Sequence, residues 1–506
     1  MMQPMDPPVH RTMALFGTRL RSLLILGYHS GSTFLMSASA AKTITAGLIL
    51  AVVLLGESFA AQSSGGVPSN AEIREILVER IDNLRQSVGI VVGIIEPPGR
   101  RVVAYGKLDS GDPRPLDGDT VFEIGSITKV FTSLLLADMV ERREVQLTDP
   151  VANYLPPQVR VPGLHGGQIT LKDLSMHLSA LPRMPSNVDS SDPANPFAEY
   201  SVTRLYEFLS SYQLPRDIGS RFEYSNLGGA LLGHALARRS GLDYGALVET
   251  RIARTLGMDS TRIPLTREMK EHLAAGHAYG LTPTANWDLG ALDAAGALHS
   301  TANDLLKFLA ASLGYTDTPL APAMASMTRA PQNIDQGEVG LGWFIQRYEG
   351  AEIISHGGST GGYRSFIGYD PQTRVGVVVL SNTGTGAGVE DIGIHLLNSK
   401  VPLLAREDLE PDKERREFPL DAESLARFTG RYRFPSSQMA SIMRDGDHLL
   451  LHAEGEVKIA FYPESARDFF AKIMDAQISF ETNEQGKVMA LRFYRGGSMQ
   501  RVRRVE

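Results

Sequence analysis

The placement of strand-forming segments narrows the fold most. VGIVVGIIE (88–96), PPGR (97–100) and RVVAYGKL (101–108) read as strand, turn and strand. Some 270 residues later EIIS (352–355) precedes SFIGYD (365–370), PQT and RVGVVVLSN (374–382), a second strand, turn and strand. Between them, from about residue 126 to 315, apolar spacing is helical, as in VFTSLLLADMV and in GGALLGHALARRSG ending at Gly241. Strands from both ends of a segment around a helical middle predict one α+β unit with an antiparallel sheet. A helix opening at Asn70, with Ile73, Ile76, Leu77, Ile81 and Leu84 on one face, precedes it, and Thr301 with Asp304 reads as a capping box.

The flanking segments differ in character. From Lys42, KTITAGLILAVVLLGESFAAQSSGG gives a cation, an apolar core over Ala46–Leu55 and small residues Ser58, Ala60 and Ala61, the pattern of a secretory signal (around 36–61) cleaved after Ala60 or Ala61. The apolar core is too short to cross a bilayer, so no stable membrane anchor is expected and the mature chain is expected to be periplasmic or secreted. Residues 1–61 are thus an extension and signal, and 62–405 the α+β unit. Residues 406–417, REDLEPDKERRE, are a charged linker. Residues 418–506 contain short strands separated by turn signals such as Asp445-Gly446, a small all-β barrel or sandwich.

Composition removes several function classes. The 50 Lys and Arg against 57 Asp and Glu give a net charge of −7, with no basic block, so no nucleic-acid partner is expected. With no cysteine there is no disulfide, thiolate metal site or cysteine nucleophile. The twelve histidines show no metal-ligand spacing, so no metal is expected.

Three short motifs carry chemistry. Ser126-Ile127-Thr128-Lys129 stands before a buried apolar run, so both side chains fall on one helix face, a turn apart. A serine hydroxyl attacks once a base takes its proton, and a lysine can do so if burial and nearby cations lower its pKa from about 10.4. The pattern alone is weak, since Ser39-Ala40-Ala41-Lys42 also matches it. Tyr224-Ser225-Asn226 offers a phenol that can pass a proton and an amide that can hold a substrate amide, or simply caps the next helix. His356-Gly357-Gly358-Ser359 follows a strand, where glycines let a ligand approach and leave the Ser359 N–H able to donate. Gly357–Gly361 also matches G-x-S-x-G, which requires strand, turn and helix, whereas another strand follows here.

In this order and context the three motifs resemble the serine β-lactamase and penicillin-binding family, particularly class C β-lactamases and related D-peptidases, D-aminopeptidases and esterases. FEIGSITKVFTSLLLADMV, RFEYSNLGGALLGHAL and HGGSTGGYRSFIGYDPQTRVGVVVLSN carry the resemblance over about residues 70–400. It implies a β-lactamase/transpeptidase-like domain with a helical subdomain, and a lipocalin-like C-terminal β domain beginning near SLARFTGRYRF. It further implies Ser126 as nucleophile, Lys129 as proton acceptor, Tyr224 as proton shuttle and Asn226 as substrate-amide contact. His356 and Gly358 fall on the third motif, and the N–H groups of Ser126 and Ser359 on the oxyanion hole. No cofactor is implied.

Departures from the pattern bear on substrate. His356 stands where class C enzymes carry lysine; with an ordinary pKa near 6.5 it would be charged about a quarter of the time at pH 7, giving weak, pH-sensitive carboxylate recognition. Ala180 replaces a usual glycine, and Ile218 a common proline. The expectation is a serine hydrolase of small-molecule or peptide amides, β-lactams or D-amino-acid peptides. The alternatives are a carboxylesterase and a penicillin-binding sensor without turnover. Trp287 lines the cleft or packs at the surface, and oligomeric state is not encoded in these patterns.

Overall fold

A computed structural model describes residues 66–405 and 416–505, apart from 110, 189–191, 193–194, 279, 336, 436–437, 454–457, 472–475, 484 and 496–497. The expected signal segment and residues 406–415 of the expected linker lie outside the described residues.

The strand clusters at the two ends of the α+β unit join one eight-stranded sheet, as predicted. Its order is β2 (Gly99–Gly106), β1 (Gly89–Glu96), β12 (Val375–Ser381), β11 (Arg364–Asp370), β10 (Ala351–Ser359), β9 (Phe344–Tyr348), β8 (Gly337–Val339) and β7 (Gln332–Ile334). Short pairs β3 (Val121–Glu123) with β6 (His299–Thr301), and β4 (Gly163–Leu164) with β5 (Gly167–Gln168), lie in the helical middle. β1 pairs antiparallel with β12, Val92 opposite Val379, which joins the two ends of the α+β unit.

VGIVVGIIE lacks polar alternation because both faces of the sheet are covered. Ile90, Val92 and Ile94 pack with Ile73 and Leu77 of helix α1 (Asn70–Val78) and with Ile392 and Leu396 of a helix over Glu390–Leu397. Val91 and Ile95 join the opposite core, with helices α2 (Thr128–Glu141), α3 (Val202–Ser211), α4 (Asn226–Ser240) and α5 (Ala302–Ser312). Helix α2 is buried along Thr128–Met139, the expected environment of a helix apolar all round.

Local signals mostly read true. Ser69 and Glu72 form a reciprocal cap on α1, and α4 ends at Gly241 with φ 75°. The Thr301–Asp304 box is only half made. Thr301 Oγ1 accepts from the Asp304 N–H, but the Asp304 carboxylate turns to the Ser260 N–H, the Thr261 hydroxyl and Lys307.

The C-terminal strands β13 (Gly430–Arg433), β14 (Met439–Asp445), β15 (His448–Ala453), β16 (Ile459–Pro463), β17 (Asp468–Ala471), β18 (Ala476–Thr482), β19 (Val488–Arg495) and β20 (Ser498–Arg504) form a closed barrel. Its interior is filled by Phe428, Tyr432, Phe461, Phe469, Phe480 and Phe493. Phe428 stacks on Phe480 at 4.3 Å, and the Tyr432 hydroxyl donates to the Phe428 carbonyl at 2.7 Å.

Candidate active site

Ser126 sits in a single 3₁₀ turn, Gly125–Ile127, leading into α2. Gly125 has φ 49°, and a Cβ there would fall 2.6 Å from the Ser359 nitrogen. The turn is therefore packed against the end of β10, bringing the first and third motifs together. Gly358 is needed for the same reason, because a Cβ there would collide with the Ile124 carbonyl and Ser365 Oγ. His356–Ser359 belongs to β10 itself rather than following a strand, with Ser359 opposite Arg364 on β11. Strand, turn and strand exclude the G-x-S-x-G elbow.

Lys129 is buried, and its Nζ has three near neighbours: Ser126 Oγ at 3.0 Å, Asn226 Oδ1 at 2.8 Å and the Ala295 carbonyl at 2.7 Å. Burial, aided by the cation of Arg183, holds its pKa well below the ordinary lysine value. A neutral amine has two N–H groups and one lone pair. In its neutral form the amine gives its two N–H groups to the Asn226 and Ala295 oxygens, which can only accept, and turns its lone pair to the one neighbour able to donate, the Ser126 hydroxyl.

Tyr224 hydrogen-bonds Ser126, while burial raises its pKa to about 12. It is thus a neutral phenol, a proton donor rather than a resident base. Its ring is held among His177 at 4.3 Å, His356 at 6.2 Å and Phe344 at 6.4 Å, with Lys129 Nζ 4.9 Å and Arg183 Cζ 5.1 Å from its centroid. Asn226 opens α4 behind the N-cap Ser225, and its amide faces inward: Oδ1 on Lys129 and Nδ2 3.2 Å from Met184 Sδ.

His356 departs from expectation. It is buried, its Nδ1–H donates to the Gly357 carbonyl at 2.6 Å, and burial together with nearby Lys129 pushes its pKa down to about 3. The fractional positive charge expected at pH 7 is absent, because burial and the neighbouring Lys129 disfavour the cation and, among the described residues, no carboxylate pairs with the imidazole. Its Nε2 is buried without a partner.

Several groups had no signal in the sequence. His177 underlies Tyr224 and accepts from the Ser225 N–H at 3.1 Å through Nδ1. Glu123, three residues before Ser126, accepts at Oε1 from Asn286 Nδ2 at 2.7 Å and the Trp287 N–H at 2.9 Å, with its pKa raised by burial. That fixes the loop in which Trp287 packs edge-on to Phe197 at 5.3 Å, its Nε1 buried without a partner. The Ala295 carbonyl that positions Lys129 is main chain, and no side-chain motif could have announced it.

Comparison with known proteins agrees with this geometry. The Beta-lactamase family pattern matches residues 77–399, and a domain of unknown function, DUF3471, matches residues 414–503. The D-alanyl-D-alanine-carboxypeptidase/endopeptidase AmpH of Escherichia coli K12 is 31% identical over 312 residues, 58% of this chain and 79% of AmpH. A class C β-lactamase from Rhodobacter sphaeroides superposes with TM-score 0.55 at 28% identity, over 62% of this chain and 94% of that one. An octameric penicillin-binding protein homologue from Pyrococcus abyssi shares the fold over 86% of this chain and all of its own, with TM-score 0.58 at 22% identity. The chain belongs to the β-lactamase family and is a serine hydrolase with a β-lactamase/transpeptidase-like fold and a C-terminal barrel.

Proposed function

We propose that this chain hydrolyses amides, D-amino-acid peptides or β-lactams, through an acyl-enzyme on Ser126. The observation that carries the reading is the Lys129 amine, buried and 3.0 Å from Ser126 Oγ, with its two other neighbours acceptors only. Ser126 Oγ forms a bond to the substrate carbonyl carbon as its proton passes to the Lys129 lone pair. The Ser126 and Ser359 N–H groups take the oxyanion. As the intermediate collapses, the carbon–nitrogen bond breaks and the departing nitrogen receives a proton from Tyr224, resupplied from Lys129. Water activated by the same groups then cleaves the ester and regenerates Ser126. Asn226 in this reading first orients Lys129, with its N–H groups left to meet substrate.

Domain limits of 62–405 and 418–506 fit this reading. A periplasmic or secreted location rests on the signal pattern, and no helix among the described residues is long and apolar enough to cross a membrane. The ester-cleaving alternative draws support from one observation: His356 is neutral, so the third motif lacks a fixed cation.

The test is intact mass of the protein incubated with a fluorescent penicillin and with nitrocefin, beside Ser126→Ala. A penicilloyl adduct on the unmodified chain alone, with turnover, is expected. Cleavage of an unactivated ester through Ser126 without any adduct moves the assignment to the esterase. Full activity in Ser126→Ala overturns the site.

A further inference from the structure

We propose that Arg183 anchors a carboxylate on the leaving-group side of the substrate, so that the enzyme selects peptides ending in a free carboxylate over the same peptides capped as amides. The proposal rests on the reading of Ser126 as nucleophile and Tyr224 as donor to the departing nitrogen.

Arg183 is held in place by its own main chain. The Pro182 carbonyl accepts from the Ser225 hydroxyl at 2.7 Å, the Arg183 carbonyl accepts from the Asn226 N–H at 2.9 Å, and Met184 Sδ meets Asn226 Nδ2 at 3.2 Å. Three consecutive residues are thus fastened to the Tyr224-Ser225-Asn226 loop. The Arg183 main chain is thereby fixed beside the phenol, and its guanidinium Cζ lies 5.1 Å from the ring centroid.

The charge there is uncompensated. Arg183 is partly exposed, and no carboxylate pairs with it among the described residues. The acid beside Tyr224 in sequence, Glu223, is engaged by Arg216 at 2.6 Å and Arg221 at 3.4 Å. The other groups around the phenol cannot hold an anion. Lys129 is buried with its Nζ engaged by Ser126, Asn226 and Ala295, and His356 points its N–H at Gly357.

Substrate geometry matches. When a C-terminal amino acid departs, its carboxylate carbon lies two covalent bonds from the nitrogen that Tyr224 protonates. A planar, permanently charged fork beside that phenol meets the carboxylate in two parallel hydrogen bonds. The cation absent at residue 356 is supplied from a different element, on the departing side of the scissile bond.

The experiment measures kcat/KM for an N-acylated D-alanyl-D-alanine peptide and for its C-terminal amide, with the unmodified enzyme, Arg183→Met and Arg183→Lys. Expected are a preference of tenfold or more for the free acid, a fall of that ratio towards one in Arg183→Met, and partial retention in Arg183→Lys. An unmodified ratio near one overturns the proposal whether or not the variants fold. So does an Arg183→Met that slows both peptides alike, which would make Arg183 a support for Tyr224. Ser126-dependent acylation by a neutral activated ester separates the two levels: its absence from the unmodified enzyme overturns the nucleophile assignment itself.

Discussion

The α+β unit and the C-terminal barrel are both well packed, yet they treat polar groups differently. Among the described residues, apart from the Tyr432 hydroxyl, the buried polar and charged side chains lie between Arg80 and Thr385 and not in the barrel. Buried side-chain atoms without a hydrogen-bond partner follow the same division, from Glu123 to Asn382. So do the non-glycine residues with positive φ, from Arg85 to Arg374, including His177 and Ala180 beside the site. Burying polar atoms and holding L residues in left-handed conformations both cost stability, and such costs collect where chemistry is done. Among the described residues the barrel core is mostly aromatic and aliphatic, and its buried Tyr432 hydroxyl is satisfied by the Phe428 carbonyl. The difference places the features that accompany chemistry in the first region.

Ser126→Ala is the largest expected change. It removes the proposed nucleophile, so kcat falls by about a thousandfold or more, while the melting temperature stays level because the side chain is small and only partly buried. Loss of folding together with activity would break the comparison, since the site would then be needed for structure. Lys129→Met follows, with a kcat loss of about the same order, but this variant also strands the Asn226 and Ala295 acceptors. Stability should carry the lysine's signature as well. Between its lowered folded pKa and about 10.4 the unfolded chain binds a proton that the folded chain lacks, so stability climbs with pH across that window. Urea titrations at several pH values should show the climb, and Lys129→Met should flatten it.

Phe480→Ala sharpens the comparison from the other side. Its ring stacks on Phe428 and meets Phe469 edge-on at 5.5 Å, so truncation should destabilise the barrel by about 3 to 5 kcal/mol. With the proposed catalytic residues all in the other region, kcat/KM at a temperature where the variant stays folded should match the unmodified enzyme. A specific loss would give the barrel a part in substrate handling.

The parts of the molecule that obey periodicity were legible in the sequence. The two hairpins, the buried α2, the Gly241 stop and most of the short C-terminal strands follow from apolar spacing and turn residues, whereas β17, β20 and the closure into a barrel do not. The three motifs announced Ser126, Lys129, Tyr224 and His356, but not what surrounds each. The state of His356 depends on burial against Tyr224 and Phe344, which arrive from other elements, so an ordinary histidine pKa was the wrong starting value. Arg183 and His177 carry no spacing signal because they act through one loop folding onto another.

His356 gives the next smaller effect. From pH 6.5 down to about 3 the unfolded chain protonates this residue and the folded chain does not, so stability drops on acidification by up to about 1.4 kcal/mol per pH unit. His356→Gln should shallow that slope in acid-unfolding titrations. If Lys129 acts as the base, an acid limb of kcat/KM should persist in the variant; a limb that disappears would restore a charged histidine to the mechanism.

The smallest expected effect concerns Ala180. The usual glycine of this turn is absent, yet the backbone still adopts φ 60° with the methyl buried. An L residue there costs about 1 to 2 kcal/mol, and glycine would relieve that strain while giving back about 0.5 to 1 kcal/mol in unfolded-chain entropy. Ala180→Gly should therefore stabilise the protein by about 0.5 kcal/mol, readable as a slightly higher denaturation midpoint with an unchanged slope. A destabilised variant would mean that the buried methyl outweighs the strain, making the alanine a packing choice in the segment that leads to Arg183.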